Sequence, residues 1–267
     1  ISQSAVSQSI KALEKKLDQT LFIRSTKKVR LTTEGEILLR HIEPAISLIK
    51  RGESQLLDVG ARGGQLHIGA SDTICRYFLV PYLERFHKAF PNAHIKVTNA
   101  TSIKCTELLE NGQVDLIVAN YPNVYLGSLA SFRKIRDFHD VFIANQSFAE
   151  LQGKKLSLKE LQRYPIIMLD RKSTTSEFLH SLFQQHQLDL VPEIELSSND
   201  LLIDLARIGL GIAFIPDYCI SKESDGIFTL DMNEEMPERS LVIAYNEQLP
   251  LSKATQEFLS CFHPVEE

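Results

Sequence analysis

The chain has 267 residues, more than a single hydrophobic core usually holds, so two or three units joined by linkers are expected. Hydrophobic residues make up 43% and charged residues 24%, and no apolar run approaches the roughly 18 residues that a membrane span requires. These features argue against a membrane partner. The sequence shows no secretion signal, so we expect a cytoplasmic location.

The charge is distributed unevenly along the chain. Residues 1–30 carry seven Lys or Arg against two acidic residues, a net +5, which leaves −10 on the remainder because the total is −5. A basic end on an acidic body is typical of a protein in which one unit neutralises the phosphates of a nucleic acid. A solvated run of charge is the alternative.

The first predicted element is an amphipathic helix. Its apolar positions are spaced by four, three and four residues, at Val6, Ile10, Leu13 and Leu17, and this stripe is expected to face a core. The opposite face is polar and basic. Gln8 is suited to pair with adenine in a major groove, whereas Lys11 and Lys15 are suited to phosphate contacts that carry no sequence information. A merely solvated polar face remains the alternative.

A short hairpin is predicted next. The apolar run 21–23 leads into a basic turn at residues 24–28, and Val29 and Leu31 restart the alternation of a strand. Basic residues at the tip of a hairpin beside an exposed helix would straddle a duplex, with the helix in one groove and the tip against the neighbouring backbone.

Residues 2–36 resemble the second half of the winged helix-turn-helix of LysR-type regulators. The shared pattern is SQ-x-AVS, then I-x-x-L-E, then LF-x-R and V-x-LT-x-x-G. The resemblance implies that the chain begins inside the motif, that residues 1–33 form a partial DNA-binding unit, and that its partner is double-stranded DNA. The expected DNA-binding residues are Gln3, Ser4, Ser7, Gln8, Lys11, Lys15, Arg24, Lys27 and Lys28.

Two departures from the family pattern bear on this unit. Gln8 stands where Arg is frequent, which leaves the base contacts of relatives in doubt. Asp18 stands where a helix-ending Gly is frequent, and Asp tolerates the left-handed backbone that such a position needs.

A long helix is predicted from Glu34 to Val59. Its apolar positions alternate by four and three residues, which is a heptad seam, so a partner helix from a second copy is expected. Pro44 predicts a bend near residues 40–44. The family's pairing of such helices supports a homodimer, with a tetramer as a dimer of dimers, while packing on the chain's own body is the alternative. The expected dimerisation residues are Leu38, Ile42, Ala45, Ile49 and Leu56. The linker is assigned to residues 34–60 and a hinge to 61–64.

From residue 65 onward short apolar runs alternate with helical patterns, which predicts βαβ units, mostly parallel sheets and two α/β lobes. Strands are predicted at Leu66–Ala70, His94–Asn99, Val114–Ala119, Val141–Ala144, Ile166–Leu169, Glu193–Leu196 and Ile212–Ile215. Helices are predicted at Tyr77–Phe90, Ser102–Glu110, Ser176–Gln187 and Asp200–Ile208.

Short polar residues follow several of these strands, at the edge where open α/β sheets bind ligands. Any one Ser or Thr there is best explained as a helix N-cap, but several meeting at one cleft favour a small anion such as a carboxylate. Asp72 opposes this, so a zwitterion stays open.

Residues 65–267 also resemble the LysR effector-binding domain, which is built like type 2 periplasmic binding proteins. The run 205–216 matches L-V-x-x-G-x-G-I-x-x-L-P. The resemblance implies lobe 1 at about 65–138 and 239–267, lobe 2 at about 139–238, crossings near 137–140 and 236–240, and a C-terminal helix at Leu251–Phe262 returning to lobe 1. The expected effector-binding residues are Ser71, Thr73, Thr101, Ser173, Thr174 and Phe214.

Catalysis, metal and cofactor are not expected. The sequence contains no HExxH, GxSxG, post-strand GxGxxG or phosphate-binding GK[ST] loop. The cysteines lie far apart, without zinc-site spacing, and we expect reduced thiols, with a disulfide pair or redox sensor as the alternative. The function expected is a sequence-specific transcriptional regulator controlled by a small-molecule effector. A stand-alone solute-binding protein is the alternative, but it leaves the wing and the seam unexplained.

Overall fold

The computed structural model describes residues 2–24, 28–58, 64–127, 130–220 and 226–262. The predicted hinge at 61–64 lies outside these ranges except for Gly64. Within them, no helix has both the length and the apolar character needed to cross a bilayer.

The N-terminal unit is one helix followed by one hairpin. Helix α1 (Gln3–Leu17) is capped by Ser2, whose side chain accepts a hydrogen bond from the amide of Ala5. It ends at Asp18, which adopts the left-handed conformation (φ 51°, ψ 37°) that was expected there. Strands β1 (Phe22–Arg24) and β2 (Val29–Leu31) pair antiparallel, which confirms the predicted hairpin.

Three residues of the sequence pattern hold this hairpin against the two neighbouring helices. The carboxylate of Glu14 accepts hydrogen bonds from the amides of Leu21 (2.8 Å) and Phe22 (3.2 Å). The hydroxyl of Thr32 donates to the carbonyl of Thr20 at 2.7 Å. A Cβ atom on Gly35 would lie 2.3 Å from the carbonyl oxygen of Leu21, so a side chain would force the hairpin away from the next helix.

Helix α2 (Thr33–Asp58) has 26 residues and continues through Pro44. It matches the predicted helix Glu34–Val59 to within one residue at each end, whereas the predicted bend stays a prediction. Its apolar residues are poorly covered: Ile49 is 63% and Leu56 76% exposed. The described residues therefore leave much of the apolar surface of α2 without a cover.

Lobe 1 is a five-stranded sheet with helices on its faces. Its elements are β3 (Gln65–Ala70), α3 (Asp72–Ile74), a π-helical turn (Cys75–Leu79), α4 (Val80–Ala89), β4 (His94–Asn99), α5 (Ser102–Glu110), β5 (Leu116–Tyr121) and β6 (Ala130–Phe138), joined by two later elements described below.

Lobe 2 is a second sheet of five strands. Its elements are β7 (Asp140–Asn145), β8 (Lys155–Leu156), α6 (Leu158–Leu161), β9 (Ile166–Leu169), α7 (Thr174–Gln185), β10 (Ile194–Leu196), α8 (Asn199–Arg207), β11 (Ile212–Pro216), β12 (Ile227–Thr229) and β13 (Asp231–Met232). Three 3₁₀ or π segments interrupt the regular elements of the two lobes at Cys75–Leu79, Gln146–Leu151 and Asp217–Cys219. The chain then returns to lobe 1 as β14 (Arg239–Asn246) and α9 (Lys253–Ser260).

The sheets are mixed, with two parallel and two antiparallel pairings in each, so the expectation of mostly parallel sheets is met only in part. The strand orders are β4-β3-β5-β14-β6 in lobe 1 and β10-β9-β11-β7-β12 in lobe 2. In each, three strands run parallel and the last two are antiparallel to their neighbours. One strand in each sheet thus runs opposite to the other four, β14 in lobe 1 and β7 in lobe 2. Each of these two strands directly follows a crossing between the lobes, and a strand that enters from the other lobe needs no helical crossover within its own sheet, so it can run in the opposite direction.

Each lobe has apolar clusters on both faces of its sheet. Phe86 and Phe258 lie in the cluster that joins α4 and α9 to the lobe 1 sheet, and Phe142 and Phe183 lie in a cluster of lobe 2. The predicted return of a C-terminal helix to lobe 1 is thus confirmed, since Phe258 of α9 is completely buried there.

Candidate functional site

One face of α1, together with the hairpin, presents polar and basic side chains to solvent. Gln3, Ser4, Gln8, Lys11 and Lys15 are exposed, as are Arg24 and Lys28 on the hairpin, and Ser7 is half-buried. Lys27 lies outside the described residues. The structure therefore places eight of the nine predicted DNA-binding residues on one helix and the adjoining hairpin.

The apolar stripe of α1 was expected to face a core, and the described residues do not bury it. No residue of α1 is buried; Val6 is 45% and Leu17 42% exposed, and Ile10 is half-buried. The remaining described residues cover the stripe only in part, and the start of the hairpin is joined to α1 by the hydrogen bonds that Glu14 accepts.

A cavity of about 280 Å³ lies between the lobes, where the carboxyl ends of their strands meet. Four residues that line it are helix N-caps. The side-chain oxygens of Ser71, Thr101, Ser173 and Ser198 each accept a hydrogen bond from the backbone amide three residues further on, at 3.3, 3.3, 3.1 and 3.4 Å. These residues therefore cap helices and also converge on one cleft, because the capped ends of four helical segments face the same cavity.

Five of the six predicted effector-binding residues line this cavity: Ser71, Thr73, Thr101, Ser173 and Thr174. Phe214 does not, and its prediction is corrected. Its side chain is 1% exposed and packs in the core of lobe 2, with its ring centroid 4.7 Å from that of Phe142. Side chains alternate across a strand, and Phe214 lies on the face of β11 that points to that core.

Several lining residues were missed by sequence reasoning. Asn99, Asp170 and Tyr218 belong to the cavity, and each stands at or just past the end of a strand or in the turn that follows it. Their position at or after the end of a strand is the sequence signal that could have indicated them. Asn120 and Asn199 belong to the polar positions expected after strands; the structure adds that both are buried and that their Oδ1 atoms have no hydrogen-bond partner among the described residues.

The lobes contact each other across the cleft through pairs of polar side chains. Asn199 Nδ2 of lobe 2 donates to Thr73 Oγ1 of lobe 1 at 3.0 Å, and Asn120 Nδ2 of lobe 1 donates to Thr174 Oγ1 of lobe 2 at 3.5 Å. At the rims, Tyr77 donates to Asp200 Oδ1 at 2.6 Å and Tyr125 donates to Glu177 Oε1 at 3.1 Å. The described lobes are therefore joined by direct hydrogen bonds across the cleft and at its rims.

The electrostatics of the cavity combine helix N-termini with carboxylates. No Lys or Arg is among the residues that line the cavity, while Asp72 and Asp170 are. Burial, and then the hydrogen bond to Asp200, raises the pKa of Tyr77, which keeps its hydroxyl protonated as a donor across the lobes. Such a site favours a small polar molecule that bears an anionic group and hydrogen-bond donors.

The described side chains offer no metal centre, since they contain no group of three or more His, Cys, Asp or Glu able to hold an ion. All four cysteines are free thiols. Burial is the main cause that raises their pKa, to about 11 for Cys75 and about 12 for Cys105, with Cys219 and Cys261 also raised.

These raised pKa values predict thiols that do not act as redox sensors. A thiol must be deprotonated to react, and protonated buried thiols are inert. In the native protein at pH 7 we expect Cys75, Cys105 and Cys219 to resist iodoacetamide over an hour, and all four to react once the chain is unfolded in urea. Mass spectrometry of peptides measures this. Rapid native alkylation of any buried thiol, or a change of DNA affinity on adding peroxide, would contradict it.

The fold and these two surfaces define a class of protein: a helix-and-hairpin DNA-binding unit joined by a long helix to a two-lobed ligand-binding body. Residues 1–36 match a family profile described as the bacterial regulatory helix-turn-helix protein, lysR family, and residues 60–265 match one described as the LysR substrate binding domain. The chain belongs to the LysR family of bacterial transcriptional regulators.

Individual relatives agree with this assignment. A probable RuBisCO transcriptional regulator of Gracilaria tenuistipitata var. liui is 31% identical over 267 residues, covering 97% of this chain and 86% of the relative. Two solved structures share the fold, each with a TM-score of 0.66. One is full-length CbnR with its target DNA, at 16% identity, covering 98% of this chain and 90% of that one. The other is the CcmR regulatory domain of Synechocystis PCC6803 with 2-PG, at 22% identity, covering 73% and 94%.

Membership of this family settles two alternatives. The family consists of transcriptional regulators and not of enzymes, in agreement with the lack of a catalytic motif. The match over residues 1–36 also excludes a stand-alone solute-binding protein, which has no helix-turn-helix.

Proposed function

We propose that this regulator is located in the cytoplasm and binds a two-fold symmetric operator as a homodimer or a dimer of dimers. A small molecule bound in the cleft between the lobes changes either its affinity for DNA or the stretch of DNA that it covers. The observation that carries the proposal is the presence on one chain of an exposed basic helix and a polar cavity closed by two lobes. Ligand and DNA sites on one chain are coupled when binding shifts the equilibrium between two arrangements of the lobes.

The DNA-binding part rests on the position of α1 and the hairpin. In CbnR the full-length chain was solved with its target DNA, and the present chain shares that fold over 98% of its length. We assign sequence reading to the N-terminal half of α1, with Gln8 as its central residue, and phosphate contacts to Lys11, Lys15 and the hairpin residues Arg24, Lys27 and Lys28. An amide side chain can pair with adenine through two hydrogen bonds, whereas lysine contacts phosphate as a point charge.

The effector is proposed to be a small carboxylate or phosphate that also carries hydroxyl or ammonium groups. The four capped helix N-termini favour an anionic group. The unpartnered Oδ1 atoms of Asn120 and Asn199, one from each lobe, need donors from the ligand because both amide nitrogens are engaged across the cleft. The CcmR regulatory domain was solved with 2-PG and the effector-binding domain of QuiR with shikimate, so these two molecules are the first probes to test.

The homodimer is proposed from α2. Among its exposed apolar residues, Ile42, Ile49 and Leu56 recur at intervals of seven, and an apolar seam of this kind is covered by a second helix in stable proteins. We assign the contact to Leu38, Ile42, Ala45, Ile49 and Leu56.

The test of the whole proposal combines two measurements. Thermal shift with 2-PG, shikimate, inorganic phosphate and a panel of hydroxy and amino acids identifies molecules that stabilise the protein. Gel shift and DNase footprinting on the regulator's own promoter, with and without those molecules, measure the coupling, expected at about 5- to 150-fold in affinity or as a changed footprint. Suppose that a molecule stabilises the protein and that substitutions in the cleft abolish this stabilisation. If it changes neither the affinity for DNA nor the footprint, allosteric control is wrong.

A pair of variants separates base reading from phosphate contact. Lys28→Ala should weaken binding to specific and unrelated DNA alike, and should reduce the slope of log affinity against log salt by about one. Gln8→Ala should instead change the order of preference among operator variants by about 10-fold or more at one base pair, with the salt slope unchanged.

The control for both is Lys159→Ala, which removes an exposed lysine on α6 of lobe 2, away from the basic surface. It should leave affinity and slope unchanged. If Gln8→Ala lowers affinity equally for every sequence, Gln8 does not read bases.

A further inference from the structure

Arg239 is among the largest completely buried side chains in the described chain, and it stands where the chain re-enters lobe 1. It is the first residue of β14, and its backbone partner in the sheet is Phe138, the last residue of β6. Asp140 lies two residues after Phe138 on the first crossing and is the first residue of β7 in lobe 2. Arg239 and Asp140 therefore occupy the two crossings between the lobes.

The side chain of Arg239 reaches from lobe 1 into lobe 2. Its Nη1 donates to Asp140 Oδ2 at 2.6 Å and to Thr175 Oγ1 at 3.2 Å. The guanidinium carbon lies 5.4 Å from the ring centroid of Phe138 and 5.0 Å from that of Phe178. One cation thus joins the end of β6, the start of β7 and the first turn of α7.

This ion pair is poorly suited to stabilise the fold as such. Arg239 is 1% and Asp140 0% exposed, and Arg239 Nε, Arg239 Nη2 and Asp140 Oδ1 have no hydrogen-bond partner among the described residues. Removing two charges from water costs about as much as their attraction returns, and apolar replacements of buried pairs are often neutral or stabilising. A role in fixing geometry explains the pair better than a role in stability.

Two residues connect the pair to the cavity. Thr175 lines the cavity and follows Thr174, which accepts the interlobe hydrogen bond of Asn120. Tyr218 also lines the cavity, and its ring packs edge-to-face against Phe138 at 5.1 Å between centroids. Tyr218 contacts the apolar clusters of both lobes. The N-terminal end of α7 and Tyr218 are therefore each in direct contact with a residue of the crossings, Arg239 and Phe138 respectively. A displacement of either one changes that contact.

We propose that Arg239 and Asp140 are positioning residues that fix the angle between the two lobes at the crossings and connect that angle to the first turn of α7. Neither residue lines the cavity, so they act through Thr175 and Phe138 rather than by touching a ligand. The consequence for DNA binding rests on the proposed function, whereas the effect on the lobes does not.

The test uses the double variant Arg239→Met with Asp140→Leu in the full chain without ligand or DNA. Apolar side chains suit the surroundings of Phe138 and Phe178, so the midpoint of urea unfolding should be unchanged or higher. Hydrogen exchange should nevertheless quicken about fivefold or more at the amides of residues 138–140 and 174–177, because opening of the lobes exposes them. Exchange in the central strands β5 and β9 should stay the same.

The matched control is Arg207→Met with Asp204→Leu, which removes an exposed ion pair on α8 of lobe 2. It should alter exchange at neither crossing. Arg239→Lys keeps the charge but removes the planar guanidinium that lies against the rings of Phe138 and Phe178. It should give the same local pattern as the double variant at smaller amplitude, and it serves if the double variant does not fold.

Two results would overturn the proposal. Unchanged exchange at residues 138–140 and 174–177 would show that the pair does not hold the lobes, and equally faster exchange in β5 and β9 would show a merely structural role. Failure of the proposed function would instead appear as absence of DNA binding or of an effector response in the unaltered chain. The exchange measurement is made without DNA and without effector, so the two failures can be told apart.

Discussion

Ile49→Glu is expected to convert the protein from a dimer to a monomer and to lower its affinity for operator DNA about 100-fold or more, since linked binding of two half-sites contributes 10²- to 10⁴-fold. Ile49 is 63% exposed on α2 and lies in the middle of the heptad seam. A carboxylate there would be buried against its symmetry mate, where desolvation and like-charge repulsion both oppose pairing. Sedimentation velocity and gel shift measure the two effects.

Lys50→Glu is the control for this prediction. It lies one residue further on the same helix, outside the seam, and it changes the charge by twice as much. It should leave the dimer intact, because outward positions of a helix pair contact solvent. A variant Ile49→Glu that sediments as a dimer and binds the operator within threefold of the unaltered protein would favour the alternative, in which α2 packs only against its own chain.

The elements that were predicted well each have a single regular sequence pattern with clear signals at both ends. The strands His94–Asn99 and Ile166–Leu169 and the helix Ser102–Glu110 were placed with their observed bounds. In each, turn residues or an N-cap flank the element, so local chemistry determines both its type and its ends. The hairpin and the left-handed Asp18 followed for the same reason.

Five described strands of the lobes were missed, β6, β8, β12, β13 and β14, and the two longest of them lie beside the crossings. In β6 (Ala130–Phe138), an edge strand, charged residues such as Arg133 and Lys134 occupy both faces, so no side reads as apolar. In β14 (Arg239–Asn246), nearly every side chain is buried, and an unbroken apolar run has no period by which to distinguish a strand from a helix. Their position depends on contacts between distant parts of the chain, which a local pattern does not contain.

The cleft was predicted in outline for a simple reason: polar residues just past the ends of parallel strands must meet at one edge of a sheet. What the sequence could not supply is how those residues pair. The interlobe bonds of Asn120 and Asn199 join residues 54 and 126 positions apart in the chain. Phe214 shows the opposite failure, because a resemblance placed it in the cleft while the alternation of its own strand points it into the core.

The cleft gives the second prediction with a large effect: Ser71→Asp is expected to lower the affinity for an anionic effector about 100-fold while DNA binding without effector stays within twofold. Asp caps a helix as well as Ser does, so the hydrogen bond to the amide of Ile74 is kept. The new carboxylate faces the cavity beside Asp72, and a like charge at about 4 Å costs roughly 4 kcal/mol near a protein surface, of which solvent and salt leave a part.

Ser71→Asn isolates the charge from the size of the new side chain. Asn has the shape of Asp and the same capping ability but no charge, so its effector affinity should fall by no more than about 10-fold. Titration calorimetry with the molecules that stabilise the unaltered protein measures both variants, and gel shift confirms that DNA binding is intact. If Asp and Asn reduce the affinity equally, the cavity excludes them by volume and the anionic character of the effector is wrong. If neither changes the affinity, the effector binds outside the cleft that Ser71 lines.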